Sequence, residues 1–250
     1  MSRAVKRAII PAAGFGSRLV QGRPYPKPLV PLGGTPLIVH VLRSLGAAGI
    51  REAVVITGHL GDRLEAALRS APLGVALRFV RNDEVHKPNG TSVLKARAFV
   101  EAPTLLTMSD HLVPPRLYAR VMQTPLAPEE SLLAVDRRIA ECFDLDDATK
   151  VKLGGPRVRA IGKELSDYDA LDTGVFCVTP AFMEALAACE GPEGCSISQG
   201  VETLAARNAM RTVDVSGLPW LDVDTPEAHA EALRRLPELT SESAPRPSVR

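Results

Sequence analysis

Residues 5–31 read VKRAIIPAAGFGSRLVQGRPYPKPLVP, and the fold follows from how this stretch is parsed. Residues 5–10 form a short β-prone run. Pro11-Ala12-Ala13-Gly14-Phe15-Gly16-Ser17-Arg18 follows, with small residues where a backbone must approach something closely. This is the pattern of a strand running into a phosphate loop, in which successive main-chain N–H groups point into one concavity and bind anions. Arg18 adds a planar cation and Lys27 a point charge. Together they are predicted to hold a triphosphate. Two other glycine loops are excluded: leucine (Leu19) stands where the dinucleotide fingerprint needs its third glycine, and the G-K-[ST] of a Walker loop is absent.

Composition narrows the partners. The chain has 250 residues and 45% apolar content, enough for a sizeable core without covalent staples. A net charge of +1 argues against a nucleic-acid binder, because counterion release needs a clustered basic face. Aromatics at 4% argue against base-stacking platforms, which leaves small molecules as partners. Cys142, Cys177, Cys189 and Cys195 show no C-x-x-C spacing and are expected to be unlinked thiols. The apolar run behind Arg3, Lys6 and Arg7 is too short for a signal peptide, and no run has the length of a membrane span. The expectation is a cytoplasmic protein with no direct membrane insertion.

Outward from the loop, Thr35 as a cap, Pro36 at the first helical position and apolar residues at helical spacing up to Gly46 predict an amphipathic crossover helix over 35–45. Residues 53–57 (AVVIT) are a continuous β-branched run, as in a strand buried on both faces of a parallel sheet. A helix over 61–70 and a strand over 74–80 complete βαβαβ, an α/β doubly wound, mostly parallel sheet. The polar stretch 81–92 reads as a loop, followed by a helix over 92–100. Residues 104–108 form the next buried strand. Asp110 lies at its carboxyl end, the edge at which open α/β sheets bind ligands, and is a candidate for holding a divalent cation. Its competing role, a helix cap, is weakened by residues 112–115, which intervene before a helix over 116–122.

From Ser131 the pattern changes to strands and turns: 132–135, a hairpin of 150–153 with 157–162, a strand over 172–178, helices from Pro180 and over 197–207, and a strand over 211–215. Asp222 and Asp224 then fall on one face of an extended segment. Two acids there are costly without a cation, although Asp224 or Thr225 also suits the cap of the closing helix, which is expected to end near Leu236. Residues 237–250 read as a disordered tail. Residues 1–236 are expected to form one domain, with a nucleotide-binding half to about residue 125 and an inserted acceptor-binding β region over about 126–236.

The pattern A-A-G-x-G-S-R followed by P-K-P resembles the signature of the nucleotidyltransferases that join an NTP to a sugar phosphate or related phospho-alcohol with release of pyrophosphate. The likeness covers nearly all of residues 3–236. Met108-Ser109-Asp110-His111, residues 161–165 (IGKEL) with 168–174 (YDALDTG), and residues 220–226 (WLDVDTP) are similar to the inositol-1-phosphate cytidylyltransferases. The resemblance implies a Rossmann-like nucleotidyltransferase fold and transfer of a cytidylyl group from CTP to inositol-1-phosphate. It implies nucleotide binding by Ala12, Ala13, Gly14, Gly16 and Ser17, with Asn89, Gly90, Thr91 and Ser92 at the base. Arg18 would meet the β- and γ-phosphates and Lys27 the transition-state charge. Mg2+ would be held by Asp110 and Asp224, with Asp222 a close second, and His111, Lys163, Asp172, Thr173 and Gly174 would face the acceptor.

Relatives of this kind often carry a fused, membrane-embedded phosphatidyltransferase domain. The expectation here is that CDP-inositol passes to a separate membrane CDP-alcohol phosphatidyltransferase. A transferase of other specificity, such as a phosphocholine cytidylyltransferase or a mannose-1-phosphate guanylyltransferase, and a non-catalytic nucleotide-sensing module stand as alternatives. Retention of Arg18, Lys27, Asp110 and Asp224 together argues against the last.

Overall fold

In the computed structural model, which describes residues 5–21 and 23–241, the stretch that opens the chain supplies an interior strand of a nine-stranded sheet. Strand β1 (Arg7–Ala12) leads into a one-turn helix, α1 (Ser17–Val20). A hairpin of β2 (Pro31–Leu32) and β3 (Thr35–Pro36) follows, then helix α2 (Leu37–Ala47). Thr35 is therefore a strand residue and not the cap of α2. Gly33 and Gly34, both at positive φ, close the hairpin, so that Leu32 pairs with Thr35 before the helix can begin.

Next come β4 (Glu52–Thr57), α3 (Gly61–Arg69) and β5 (Ala76–Arg81). Helix α4 (Asn89–Lys95) starts three residues earlier than predicted, straight after Pro88, so Asn89 to Ser92 are its first turn and not a loop. The chain continues through β6 (Thr104–Thr107), β7 (His111–Leu112), α5 (Pro115–Gln123) and β8 (Ser131–Asp136). The hairpin of β9 (Lys150–Gly154) and β10 (Arg157–Gly162) forms as expected, followed by β11 (Ala170–Val178), α6 (Pro180–Cys189) and α7 (Ile197–Ala206). Strands β12 (Met210–Asp214) and β13 (Leu221–Asp222) precede the closing helix α8 (Pro226–Thr240). That helix runs through Pro237 rather than stopping before it, because Leu239 is fully buried in the core beyond the proline. Residues 237–240, predicted as part of a disordered tail, thus belong to α8, and residues 242–250 lie outside the described residues.

The main sheet has the order β5-β4-β1-β6-β11-β8-β12-β10-β9. Parallel pairing joins β5, β4, β1 and β6, and again β12 to β8, while β11 runs antiparallel to both of its neighbours β6 and β8. Alternate residues of the central strands feed two separate cores. Ala8, Ile10, Ala53 and Val55 pack under α2, α3, α5 and α8, and Ile9, Val54 and Ile56 pack under α4, α6 and α7. This is why the apolar runs in β1 and β4 show no alternation: both faces are covered. Chain order reverses between β1 and β6, and ligands bind at such a switch point.

Strand β11 changes partner along its length. Ala170 and Leu171 pair with β9, which closes β11, β8, β12, β10 and β9 into a ring, whereas residues from Val175 onward pair with β6. The change occurs at a register shift between Asp172 and Phe176 that contains Gly174 at φ +72. A bulge of this kind re-aims side chains, and here it sits against the site.

Candidate active site

A cavity of about 650 Å³ opens along the carboxyl ends of β1 and β6 and extends under β11, a volume suited to a small-molecule substrate. Ala12, Ala13, Gly14 and Gly16 form one wall, and Lys163, Asp172 and Gly174 lie on the other. Asp110, His111, Asp222 and Asp224 lie on the same lining.

Each of these groups is held in place by a local device. Gly16 adopts φ +61 and carries no Cβ, and the stem of Lys27 lies directly against it. Lys27 begins a 3-10 turn between Pro26 and Pro28, and is only 5% exposed. Its Nζ donates to Asp110 Oδ2 at 2.6 Å and also pairs with Asp224. Arg18 reaches the same acids from the loop. It pairs with Asp224 and donates to Asp147 Oδ2 at 2.9 Å. Of the competing cap roles, that of Thr225 holds and those of the two acids fall away. Thr225 caps α8, its Oγ1 accepting from Ala228 N, and Pro114 precedes α5, so neither Asp224 nor Asp110 serves as a cap.

Asp222 and Asp224 turn to the cavity while Val223 between them is fully buried, its amide donating to Asp110 O. The β13–β7 pairing places Asp222 opposite His111. His111 Nδ1 faces the Thr173 carbonyl at 3.0 Å and Nε2 faces Asp222 Oδ2 at 3.3 Å. Both partners only accept hydrogen bonds, so the ring is best satisfied as an imidazolium. Burial opposes that charge, but Asp222, Asp110 and the Thr173 carbonyl override it and raise the His111 pKa. Burial likewise works to raise Asp222, yet the His111 charge and hydrogen bond, with Lys27 and Arg18, hold it below the usual carboxylate range.

Asp147, Asp222 and Asp224 offer ligand atoms within 4.8 Å of one another, and Asp110 and Asp222 do so beside His111, whose protonated ring would not itself ligate. Asp222 Oδ1 is buried without a hydrogen-bond partner among the described residues. An orphaned carboxylate oxygen inside an acidic cluster fits a cation, so the residues present suit a metal ion.

The other predicted residues divide. Asn89 and Ser92 line the cavity, Asn89 Oδ1 accepting from Ile197 N and Ser92 Oγ from Asn82 Nδ2. Gly90 and Thr91 turn away: a Cβ on Gly90 would collide with the backbone of Cys195 and Ser196, and buried Thr91 donates to Glu190. Thr173 is also buried, its hydroxyl spent on Ala134 O, and it reaches the site only through the carbonyl that holds His111. Ser17 is exposed at the start of α1.

Sequence reasoning missed three contributors. Asp147 pairs with both Arg18 and Lys163; the acidic run DLDD just ahead of β9 was its only signal. Asp136 is 4% exposed and accepts from Trp220 Nε1 and Arg138, which fixes two cavity-lining side chains. Glu190 anchors the turn between α6 and α7 beneath α4. The four cysteines are free thiols, and no described helix is long and apolar enough to cross a membrane.

Asp172 provides a pH test. Enclosure in the cavity wall raises its carboxyl from 3.8 to about 6, against the Gly174 amide and the His111 charge, which lower it. A raised acid pKa stabilises the folded state below the unfolded value, and that contribution is lost as pH rises through the folded one. Asp172→Asn is therefore expected to be more stable relative to wild type at pH 7.5 than at pH 4. Urea unfolding at the two pH values measures this, and a stability difference independent of pH would refute it.

A strand-to-loop turn with two cations, opposed by acids from the ends of β6 and β13 at a switch point, is the arrangement of a nucleotidyltransferase. The chain belongs to the MobA-like NTP transferase domain family, whose profile matches residues 8–194. Within it the chain is similar to a Rubrobacter xylanophilus protein named bifunctional IPC transferase and DIPP synthase, at 37% identity over 223 residues covering 88% of this chain and 49% of that one. A protein of the same name from Archaeoglobus fulgidus is 33% identical over 230 residues, covering 92% of this chain and 44% of that one. The chain thus spans about half the length of these curated relatives. The solved structure of the inositol-1-phosphate CTP transferase from T. maritima shares the fold with a TM-score of 0.83 at 24% identity, over 96% of this chain and 100% of that one.

Proposed function

We propose that the chain transfers the cytidylyl group of CTP to inositol-1-phosphate, giving CDP-inositol and pyrophosphate. The observation that carries this reading is the convergence of Lys27 with Asp110, Asp222 and Asp224 in one cavity, with Arg18 paired to Asp224. The names of its relatives supply the substrates. The continuous sheet supports treating residues 1–236 as one unit, with the nucleotide on the β1 side and the acceptor on the β11 side.

An ionised acceptor phosphate oxygen attacks the α-phosphorus in line. The new P–O bond forms as the bond to the bridging oxygen breaks, and that electron pair leaves with pyrophosphate. The amides of the Ala12 to Ser17 turn cradle the phosphates, Arg18 meets the β- and γ-phosphates, and Lys27 neutralises charge that grows at the α-phosphorus. Asp110, Asp222 and Asp224 would hold Mg2+, which when bound neutralises the triphosphate. Asn89 and Ser92 face the base, while Gly90 and Thr91 brace them from behind. Lys163 and Asp172 take the acceptor, with Thr173 and Gly174 acting through the placement of His111. With both N–H groups committed to Thr173 and Asp222, an imidazolium at His111 suits a fixed positive charge beside the acceptor and not a general base. We place the reaction in the cytoplasm and expect a membrane CDP-alcohol phosphatidyltransferase to consume the product.

Pyrophosphate release from each of four NTPs, tested against inositol-1-phosphate, phosphocholine and mannose-1-phosphate with Mg2+, is expected with CTP and inositol-1-phosphate. Release with GTP and mannose-1-phosphate instead would reassign the specificity. No release from any pair would leave a nucleotide-binding module.

A further inference from the structure

Among the described residues, Asp147 is the carboxylate that holds one cation from the signature loop and another from the acceptor side. Oδ2 accepts from Arg18 Nη1 at 2.9 Å, and Oδ1 pairs with Lys163 Nζ. Its position is built. The amide of Asp147 donates to Asp144 Oδ1 and that of Ala148 to Asp144 O, Lys150 Nζ fastens the Asp146 carbonyl, and Asp172 N fastens the Thr149 carbonyl. Burial works to raise the Asp147 carboxyl, but Lys163 and Arg18 hold it below its ordinary range, so it is ionised at neutral pH.

We propose that Asp147 is a positioning residue that stands in for substrate phosphate, holding Arg18 and Lys163 in the substrate-free site and yielding them to the incoming anions. The identity of those anions rests on the proposed nucleotidyl transfer; the ion pairs do not. Arg18 is half exposed and Lys163, on the cavity lining, equally so, and an unpaired side chain of that exposure would sample many rotamers. The carboxylate keeps both heads aimed at the cavity between turnovers, at the cost of competing with phosphate for them. An anion that reaches Arg18 exchanges one charge-assisted contact for another.

The test uses the full chain in EDTA, so that metal ligation makes no contribution, with inorganic tripolyphosphate as the probe. Asp147→Asn should bind it about two- to fivefold more tightly than wild type, the size of an exposed to half-buried ion pair. Asp146→Asn makes the same charge change on an exposed neighbour of the same loop and should stay near wild type. In an Arg18→Ala background the gain from Asp147→Asn should shrink to whatever the released Lys163 supplies. Independently, an amine-reactive ester read by peptide mass spectrometry should label Lys163 faster in Asp147→Asn than in wild type.

Equal affinities for the Asp147 and Asp146 variants, a gain undiminished by the loss of Arg18, or an unchanged Lys163 labelling rate would each overturn the proposal. Failure of the nucleotidyl-transfer reading registers separately, as no pyrophosphate from any substrate pair while the Arg18-dependent difference in tripolyphosphate affinity persists.

Discussion

Lys27→Ala is expected to lower the rate of pyrophosphate release by about a hundred- to a thousandfold, the usual loss when one preorganised electrostatic donor is removed from a developing charge. Lys27 is built for that role. It is buried on a proline-flanked 3-10 turn, lies against Gly16, and directs its ammonium between Asp110 and Asp224. Truncation also leaves Asp110 without its cation beside Asp224, which keeps only Arg18, and costs on the order of 1–3 kcal/mol of stability in metal-free protein. The two effects separate experimentally: added Mg2+ should restore much of the thermal stability and little of the rate. Turnover within threefold of wild type would remove Lys27 from the chemistry.

Gly16→Ala should approach the same loss of rate while changing no charge. A Cβ at Gly16 would stand 2.2 Å from Lys27 Cβ and 2.9 Å from Lys27 Cδ, and the residue is at φ +61, a left-handed conformation that costs a non-glycine residue about 1–2 kcal/mol. Relieving the clash moves the lysine stem, and displacement of a reacting group by about 1 Å is worth on the order of a hundredfold. Gly14→Ala is the informative companion. Nothing lies within 4 Å of its Cβ position, so the free protein should keep its stability and any loss should appear in nucleotide affinity. Gly16→Ala with wild-type kcat would show that the loop tolerates a shifted Lys27.

These two experiments act on residues legible in the sequence, and the reason is local. The turn from β1 into the loop, the buried run of β4 and the alternation that puts Asp222 and Asp224 on one face all depend on neighbours within a few residues. What escaped depends on distant partners or on turn geometry. Thr35 looked like a helix cap until Gly33 and Gly34 folded the chain back on Pro31 and Leu32. Gly90 and Thr91 looked like base contacts, but the turn carrying Glu190 and Cys195 claims them from about a hundred residues away. Asp147 had only acidic neighbours to mark it, and its meaning lies in Arg18 and Lys163. Pro237 suggested an end to α8, yet burial of Leu239 outweighs the lost hydrogen bond.

The closure of β9 onto β11 bears on how copies of the chain meet in concentrated solution. A sheet grows by recruiting foreign backbone along an unpaired flank, and by bending round on itself one flank of this sheet has become an internal seam. The flank that stays open is β5, where Arg78 and Arg81 are exposed and tied to Glu52 and Asp62. A stray segment adding there must strip water from two guanidinium groups. Self-templated fibre growth is thereby discouraged at this margin of the main sheet.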